Sequence, residues 1–143
     1  MVATRERAEM APVPAHQLDI LDRMGVERRH KLPAADVVID SVVGYSLRGA
    51  PRGRSAELID ATNRSTSVVS LDTPSGLDVT SGASRGVVAH ADATMTLALP
   101  KRGLRDSPLV GELYVADISV PPSAIARLGP PPPFGPDGLL RVV

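Results

Sequence analysis

The chain has 143 residues, with sixteen basic and sixteen acidic side chains, and 43% of its residues are hydrophobic but only 2% aromatic. This is the length of one domain with an aliphatic core, and the balanced charge argues against a nucleic-acid partner. No apolar run approaches the roughly 18 residues of a membrane span, and the charged first ten residues do not resemble a secretory signal. The lack of cysteine excludes disulfides, Cys-ligated zinc and a thiol nucleophile, and it suits the cytoplasm.

The first predicted elements are a helix over about residues 14–25 and a strand over residues 36–43. Leu18, Leu21 and Met24 fall on one helical face, and Gly25 is a plausible stop. The strand, DVVIDSVV, is apolar at nearly every position. Such continuity is typical of a strand covered on both faces of a parallel sheet.

The following elements continue the alternation of strands and helices. Ser55 is a candidate cap for a helix reaching about residue 63, and strands are predicted over residues 67–72, 92–99 and 112–118. A proline-rich segment covers residues 121–138, and its run at 130–133 predicts a stiff polyproline connector. The order indicates an α/β sheet with right-handed crossovers, in which ligands bind at the carboxyl ends of the strands.

Asp40 lies late in the first predicted strand and Asp72 closes the second, so the two carboxylates are candidates for one crevice. The loop after Asp40 alternates glycine with Arg48 and Arg52. Glycines allow close backbone approach to a ligand, and arginine binds phosphate in bidentate fashion. A solvated turn explains the same residues, so both interpretations stay open.

The loop after Asp72 reads Thr73-Pro74-Ser75 and holds the Ser75 hydroxyl in a defined place, because Pro74 restricts the backbone. It is not the G-x-S-x-G nucleophile elbow. A hydroxyl and a carboxylate at neighbouring strand ends suit a hard cation with oxygen ligands, and a plain turn remains the alternative. The three histidines show no metal-ligand spacing, whereas Lys101 follows the third strand and is within reach of the crevice.

Four motifs over about residues 36–122 resemble the YjeF N-terminal domain, the family of NAD(P)H-hydrate epimerases. They are VIDSVVGYSLRGAPRG, VVSLDTPSGLD, ADATMTLALPKRGL and GELYVADISVPP, in this order. The resemblance implies a Rossmann-like three-layer α/β/α sandwich with a mostly parallel sheet, as one domain over residues 1–143. It implies interconversion of the R and S epimers of hydrated NADH or NADPH at ring carbon 6, as a repair reaction linked to an NAD(P)H-hydrate dehydratase.

The resemblance also implies roles for particular residues. Asp40 and Ser75 match two potassium ligands of the family, and Asp72 matches the carboxylate that contacts the substrate and transfers a proton. Acid–base work near neutral pH would require the environment to raise the pKa of Asp72. The segment that wraps the substrate is matched by Gly44, Tyr45, Ser46, Leu47, Arg48, Gly49 and Ala50. Arg48 stands where some members have a lysine, and an arginine steadies charge without shuttling a proton.

One family element is unmatched, namely the glycine-rich asparagine loop that binds the phosphates and supplies a potassium ligand. We therefore expect an N-terminally truncated sheet, with residues 2–5 as the remains of its second strand and an apolar edge exposed. Three hypotheses follow: an epimerase whose reading frame is shortened, an enzyme half completed by another chain or by a homo-oligomer, and a non-catalytic remnant that binds nucleotide weakly or mediates assembly.

Overall fold

The structure, a computed structural model, describes residues 1–45, 48–84 and 86–142. It contains a five-stranded sheet, three α-helices and two short 3₁₀ helices. In chain order the elements are the 3₁₀ helix Arg7–Glu9, α1 (Pro12–Arg23), β1 (Val38–Asp40), α2 (Gly53–Thr62), β2 (Val68–Leu71), β3 (Ala93–Leu97), the 3₁₀ helix Arg102–Leu104, β4 (Glu112–Ala116), α3 (Pro122–Ile125) and β5 (Leu139–Val142).

The strands lie in the sheet in the order in which they occur in the chain. β1, β2, β3 and β4 are parallel, and β5 pairs with β4 in the antiparallel direction. The predicted α/β class and mostly parallel sheet are therefore confirmed. Because the four parallel strands share a direction, their carboxyl ends lie at one edge of the sheet, and the loops that follow them meet there.

The two faces of the sheet differ in burial. On one face the register aligns Asp40 with Ser70 and Ser70 with Thr94, and all three side chains are buried. On the other face Ile39 is 61% exposed and Leu71 is 44% exposed. The expectation that β1 is covered on both faces is wrong for this structure, because β1 is an edge strand whose exposed face has no covering element among the described residues.

The main hydrophobic cluster lies beside β4 and is built largely from loop residues. Its members are Leu77, Val79, Val88, Leu104, Val110 and Leu113. Leu77, Val79 and Val88 come from the segment between β2 and β3, and Leu104 ends the second 3₁₀ helix. Irregular backbone therefore covers this part of the sheet, and the loop after Asp72 is packed as core.

Helix α1 begins two residues earlier than predicted and ends before Gly25. Gly25 adopts a φ of 77°, and its N–H donates to the Asp22 carbonyl at 3.0 Å, as a glycine stop requires. Leu18 is buried, but Met24 is 69% exposed. Met24 does not continue the helical face of Leu18 and Leu21, because it lies beyond the last helical residue, where the helical spacing no longer applies.

Helix α2 contacts β1 and buries Leu58, Ile59 and Thr62. The predicted cap at Ser55 is wrong, because α2 begins at Gly53 and Ser55 lies within its first turn. The other end is anchored by the Asn63 side chain, which donates to the Val88 carbonyl and accepts from the His90 N–H, both at 2.8 Å. One amide thus joins α2 to the segment that leads into β3.

Replacing Asn63 with alanine is expected to lower the free energy of unfolding by about 1–3 kcal/mol, because the partly buried Val88 carbonyl and the exposed His90 N–H both lose their partner. The matched control is Asn63→Asp, which retains the acceptor for His90 but loses the donor to Val88, and its effect should be smaller. Urea unfolding followed by circular dichroism gives both values. An alanine variant as stable as the wild type would show that this bridge does not stabilise the fold.

The two ends of the chain differ from the sequence-based expectations. Residues 2–5 form no strand, because the N-terminal backbone bonds to residues 27–29 instead, with the Arg29 N–H donating to the Met1 carbonyl at 2.9 Å. β5 was not predicted, since its short segment follows the proline-rich region. Residues 130–133 have no helix or strand and link α3 to β5, in agreement with a connector.

No helix within the described ranges is long and apolar enough to cross a membrane.

Candidate functional site

The Asp40 carboxylate lies at the end of β1 and is fully buried. Its Oδ2 accepts hydrogen bonds from the Ser70 hydroxyl and the Ser75 N–H, both at 2.8 Å. Its Oδ1 has one longer contact, from the Val42 N–H at 3.4 Å. A buried carboxylate needs such partners to offset its desolvation, and Oδ1 keeps lone pairs for a further one.

Ser75 is also fully buried, and its Oγ accepts a hydrogen bond from the Val43 N–H at 2.9 Å. The Leu77 N–H donates to the Pro74 carbonyl at 3.0 Å, so the loop fixes the hydroxyl as predicted. A nucleophilic serine does not fit, since Ser75 is buried and His90 is exposed and bonded through its backbone to Asn63.

The Asp40–Ser75 oxygens fit a hard cation with oxygen ligands. The set contains one carboxylate and one neutral hydroxyl, both buried, and both atoms retain lone pairs. No group of three or more His, Cys, Asp or Glu side chains within the described part of the chain is arranged for a metal. A single negative charge with neutral oxygens suits a monovalent cation such as potassium better than a transition metal.

Asp72 follows the last residue of β2 and belongs to a separate cluster. Its N–H donates to the Met95 carbonyl at 2.8 Å, and its φ of 69° is unusual for a residue other than glycine. Its Oδ1 accepts from the Leu97 N–H at 3.1 Å and contacts the Lys101 Nζ. The carboxylates of Asp40 and Asp72 thus lie at the same sheet edge but bond to different partners.

The pKa of Asp72 is lowered, although partial burial by itself opposes ionisation. The hydrogen bond from Lys101 outweighs this burial, together with the Leu97 N–H, the positive charge of Lys101 and the Thr96 hydroxyl. The raised pKa that acid–base work near neutral pH would require is therefore not found for Asp72 in this structure. Asp72 is a carboxylate at neutral pH, which makes it a proton acceptor and leaves the donor to another group.

The loop after β1 and the loop after β2 line a common cavity of about 360 Å³. From the first loop it takes Gly44, Tyr45, Arg48 and Gly49, and from the second Gly76, Leu77, Asp78, Val79 and Thr80. Ala50 contributes differently, since it lies against Gly86. Ser46 and Leu47 lie outside the described residues. The cavity wall carries glycine backbone, which allows close approach of a ligand, and the opposite charges of Arg48 and Asp78.

Residues 2–103 match the family described as YjeF-related protein N-terminus. The chain belongs to this family. The YjeF-related match covers β1, β2, β3 and the loops that carry Asp40, Asp72 and Ser75.

Several curated relatives of this YjeF-related chain have informative names. An NAD(P)H-hydrate epimerase of Dehalogenimonas lykanthroporepellens is 41% identical over 129 residues, which are 87% of this chain and 52% of the relative. One of Truepera radiovictrix is 36% identical over 100% of this chain and 67% of its own. A bifunctional NAD(P)H-hydrate repair enzyme Nnr of Hyperthermus butylicus is 44% identical over 67% of this chain and 18% of its own. The chain thus spans about half of the first relative and two thirds of the second.

A solved structure supports the fold independently of close sequence similarity. The crystal structure of yeast ynu0, YNL200c, superposes with a TM-score of 0.77 at 17% identity, covering 94% of this chain and 62% of that one. The two chains therefore share a fold over nearly all of this chain.

Two residues of the candidate site, Ser70 and Lys101, could not be given their contacts from the sequence. Ser70, inside β2, bonds Asp40, and the register of β1 with β2 is the signal that would have found it. For Lys101 the sequence indicates only that it is within reach of the crevice, because it follows the third strand. The sequence does not identify Asp72 as its partner. The structure brings Lys101 onto Asp72 across 29 residues of chain.

Proposed function

We propose that this chain carries the catalytic site of an NAD(P)H-hydrate epimerase, which interconverts the R and S epimers of hydrated NADH and NADPH. The names of the relatives in Dehalogenimonas lykanthroporepellens and Truepera radiovictrix support this activity. The observation that carries the proposal is the position of Asp72, ionised and partly exposed, three residues before the buried Ser75. Asp72, which would contact the substrate, and Ser75, which would contribute an oxygen to the cation site, thus come from one loop.

The proposed substrate site is the 360 Å³ cavity together with Asp72. Gly44, Tyr45, Arg48 and Gly49 would contact the dinucleotide, and the neighbouring Ser46, Leu47 and Ala50 complete the proposed segment. The exposed Arg48 guanidinium would steady a phosphate by bidentate hydrogen bonds. Asp72 would accept the proton that water releases when it adds to ring carbon 6.

The direct test is to supply one separated epimer of hydrated NADH and follow the appearance of the other by chromatography. We expect the epimers to interconvert well above the spontaneous rate in potassium salt, and at a lower rate in sodium salt. A rate equal to the protein-free control in both salts would contradict the proposal. Adding an NAD(P)H-hydrate dehydratase, the proposed functional partner in the cytoplasm, should then drain both epimers instead of one.

We further propose that Asp40 and Ser75 hold a potassium ion, which would neutralise the buried Asp40 charge and fix the ends of the two loops. Replacing Asp40 with asparagine keeps an oxygen acceptor but removes the charge. We expect potassium to raise the melting temperature of the wild type but not of the variant, and the potassium midpoint of activity to rise by at least about tenfold, or about 1.4 kcal/mol.

The more severe Asp40→Ala should also destabilise the fold, because the Ser75 N–H and Ser70 hydroxyl lose their acceptor, at about 1–3 kcal/mol for each buried group. Asp36→Asn, at an exposed position of the same segment, is the matched control. An equal thermal response to potassium in wild type and Asp40→Asn would count against the cation site.

A second candidate function is that of a remnant or half-site that needs another chain. The five strands form one sheet, which supports residues 1–143 as a single domain, but Val37 and Ile39 leave the β1 edge apolar and more than half exposed. Sedimentation analysis distinguishes the candidates. An active monomer would exclude the half-site, whereas an inactive monomer activated by a second chain or by dimerisation would favour it.

A further inference from the structure

Lys101 reaches back from the segment after β3 to the end of β2. Its Nζ contacts Asp72 Oδ1 and donates to the Leu97 carbonyl at 2.9 Å. The side chains of Lys101 and Asp72 are 25% and 31% exposed, so both face a solvent-accessible space at the carboxyl edge of the sheet. Lys101 also lines a larger cavity of about 890 Å³, together with residues of the segment that follows it.

Stability alone does not account for this contact. A partly exposed ion pair contributes about 0–1 kcal/mol, and Asp72 already accepts from the Leu97 N–H. Asp72 also adopts a left-handed conformation, which costs free energy for most residues other than glycine. Local strain maintained beside an accessible charge pair is typical of a working site.

Epimerisation at a hydrated ring carbon imposes a strict proton balance. The hydroxyl leaves more easily as water, which requires a proton donor, and water returning to the opposite face must lose a proton to an acceptor. Asp72 as a carboxylate can serve only as the acceptor. An arginine side chain stays protonated in proteins and cannot act as an acid, whereas a lysine ammonium can give up a proton.

We propose that Lys101 is the catalytic acid of the epimerase site and works as a pair with Asp72. This inference rests on the proposed function. Lys101 gives one proton to the hydroxyl as the C–O bond breaks, and the electron pair of that bond leaves on the water formed. The lone pair of the ring nitrogen forms a C=N bond at the same carbon. Water then adds to the other face, the C=N pair returns to nitrogen, and Asp72 takes the released proton. The direct Asp72–Lys101 contact returns that proton to the lysine, so no net proton or co-reactant is consumed.

The first test is Lys101→Arg, which keeps the positive charge beside Asp72 but cannot give up a proton. We expect kcat to fall by about 10²–10⁴-fold with KM changed little. Lys31→Arg is the matched control, since Lys31 is the only other lysine and is exposed. A Lys101→Arg variant within about threefold of the wild type, with the control also active, would overturn the inference while leaving the proposed function intact.

The second test uses the absence of cysteine from the sequence. Lys101→Cys should be inactive and, after alkylation with 2-bromoethylamine, should regain activity because an amine of similar length is restored at this position alone. The thioether makes this amine more acidic than lysine, so the basic limb of the pH profile should move to lower pH. A structural role would not move that limb. An inactive wild type would overturn the proposed function, and this inference with it.

Discussion

Asp72→Asn is expected to reduce epimerisation by about 10²–10⁴-fold, the range for losing a positioned acid–base group. The amide is nearly isosteric but cannot take a proton from water. Asparagine also tolerates the left-handed conformation that Asp72 adopts, at a φ of 69°. The fold should therefore survive, and the loss of rate should be chemical.

The measurement is kcat for interconversion of separated epimers, with circular dichroism to verify folding. Asp36→Asn is the control, because it removes an exposed carboxylate from the same domain and should retain full activity. A wild-type rate in Asp72→Asn would remove Asp72 from the proposed chemistry, whatever the outcome for the cation site.

The pH dependence of stability provides an independent readout of the same residue. A carboxyl whose pKa is lower in the folded than in the unfolded protein stabilises the fold above its unfolded pKa, and this contribution is lost as the pH falls through the folded pKa. The ordinary value is 3.8 and the pKa of folded Asp72 lies below it. The wild type should therefore lose more stability below about pH 4 than Asp72→Asn does.

The same shift bears on activity. With Asp72 ionised throughout the neutral range, the acid limb of the rate profile should lie below pH 5, because at pH 5 only about a tenth or less of an ordinary aspartate is protonated. A limb near neutral pH would instead indicate that the substrate raises the pKa of Asp72 on binding.

Strand order and the carboxyl-end rule predicted a large part of this site. The sequence placed Asp40 at the end of a strand and Ser75 in a proline-restricted loop, and the structure joins them through the Ser75 N–H at 2.8 Å. Such a contact is predictable because each residue is held by a local element, and the parallel pairing of β1 with β2 aligns the two elements.

The ionisation of Asp72 could not be predicted in the same way. The pKa depends on Lys101 and Leu97, which reach Asp72 only after β3 pairs with β2. Local sequence suggests a partly buried carboxyl, for which burial alone raises the pKa. The direction of the pKa shift is set by hydrogen-bond donors more than twenty residues away in the chain, and no sequence-spacing rule predicts them.

Local sequence also could not predict which faces of the sheet are covered by other elements. The apolar run around Ile39 predicts burial on both faces, but burial depends on whether another element is present to cover the strand. In the described structure nothing covers Ile39, and it is 61% exposed. The apolar run therefore predicts that a strand forms, but it does not predict whether another element covers that strand.

Gly76→Ala is expected to destabilise the fold by about 2–5 kcal/mol, the sum of a conformational and a packing cost. Gly76 has a φ of 95°, and a Cβ there would lie 2.5 Å from the Val87 carbonyl oxygen. A left-handed conformation costs an L-residue about 1–2 kcal/mol, and displacing packed backbone adds about 1–3 kcal/mol.

Gly25→Ala separates these two causes. Gly25 has a φ of 77°, but a Cβ there would meet nothing within 4 Å. This control should therefore show only the conformational cost, and the difference between the variants in urea unfolding isolates the contact with Val87. Equal losses would mean that the loop yields to the methyl group. A larger loss for Gly76 would show that close backbone packing, and not sequence-local preference, fixes the loop beside Ser75. Potassium binding should then weaken in Gly76→Ala and remain unchanged in Gly25→Ala.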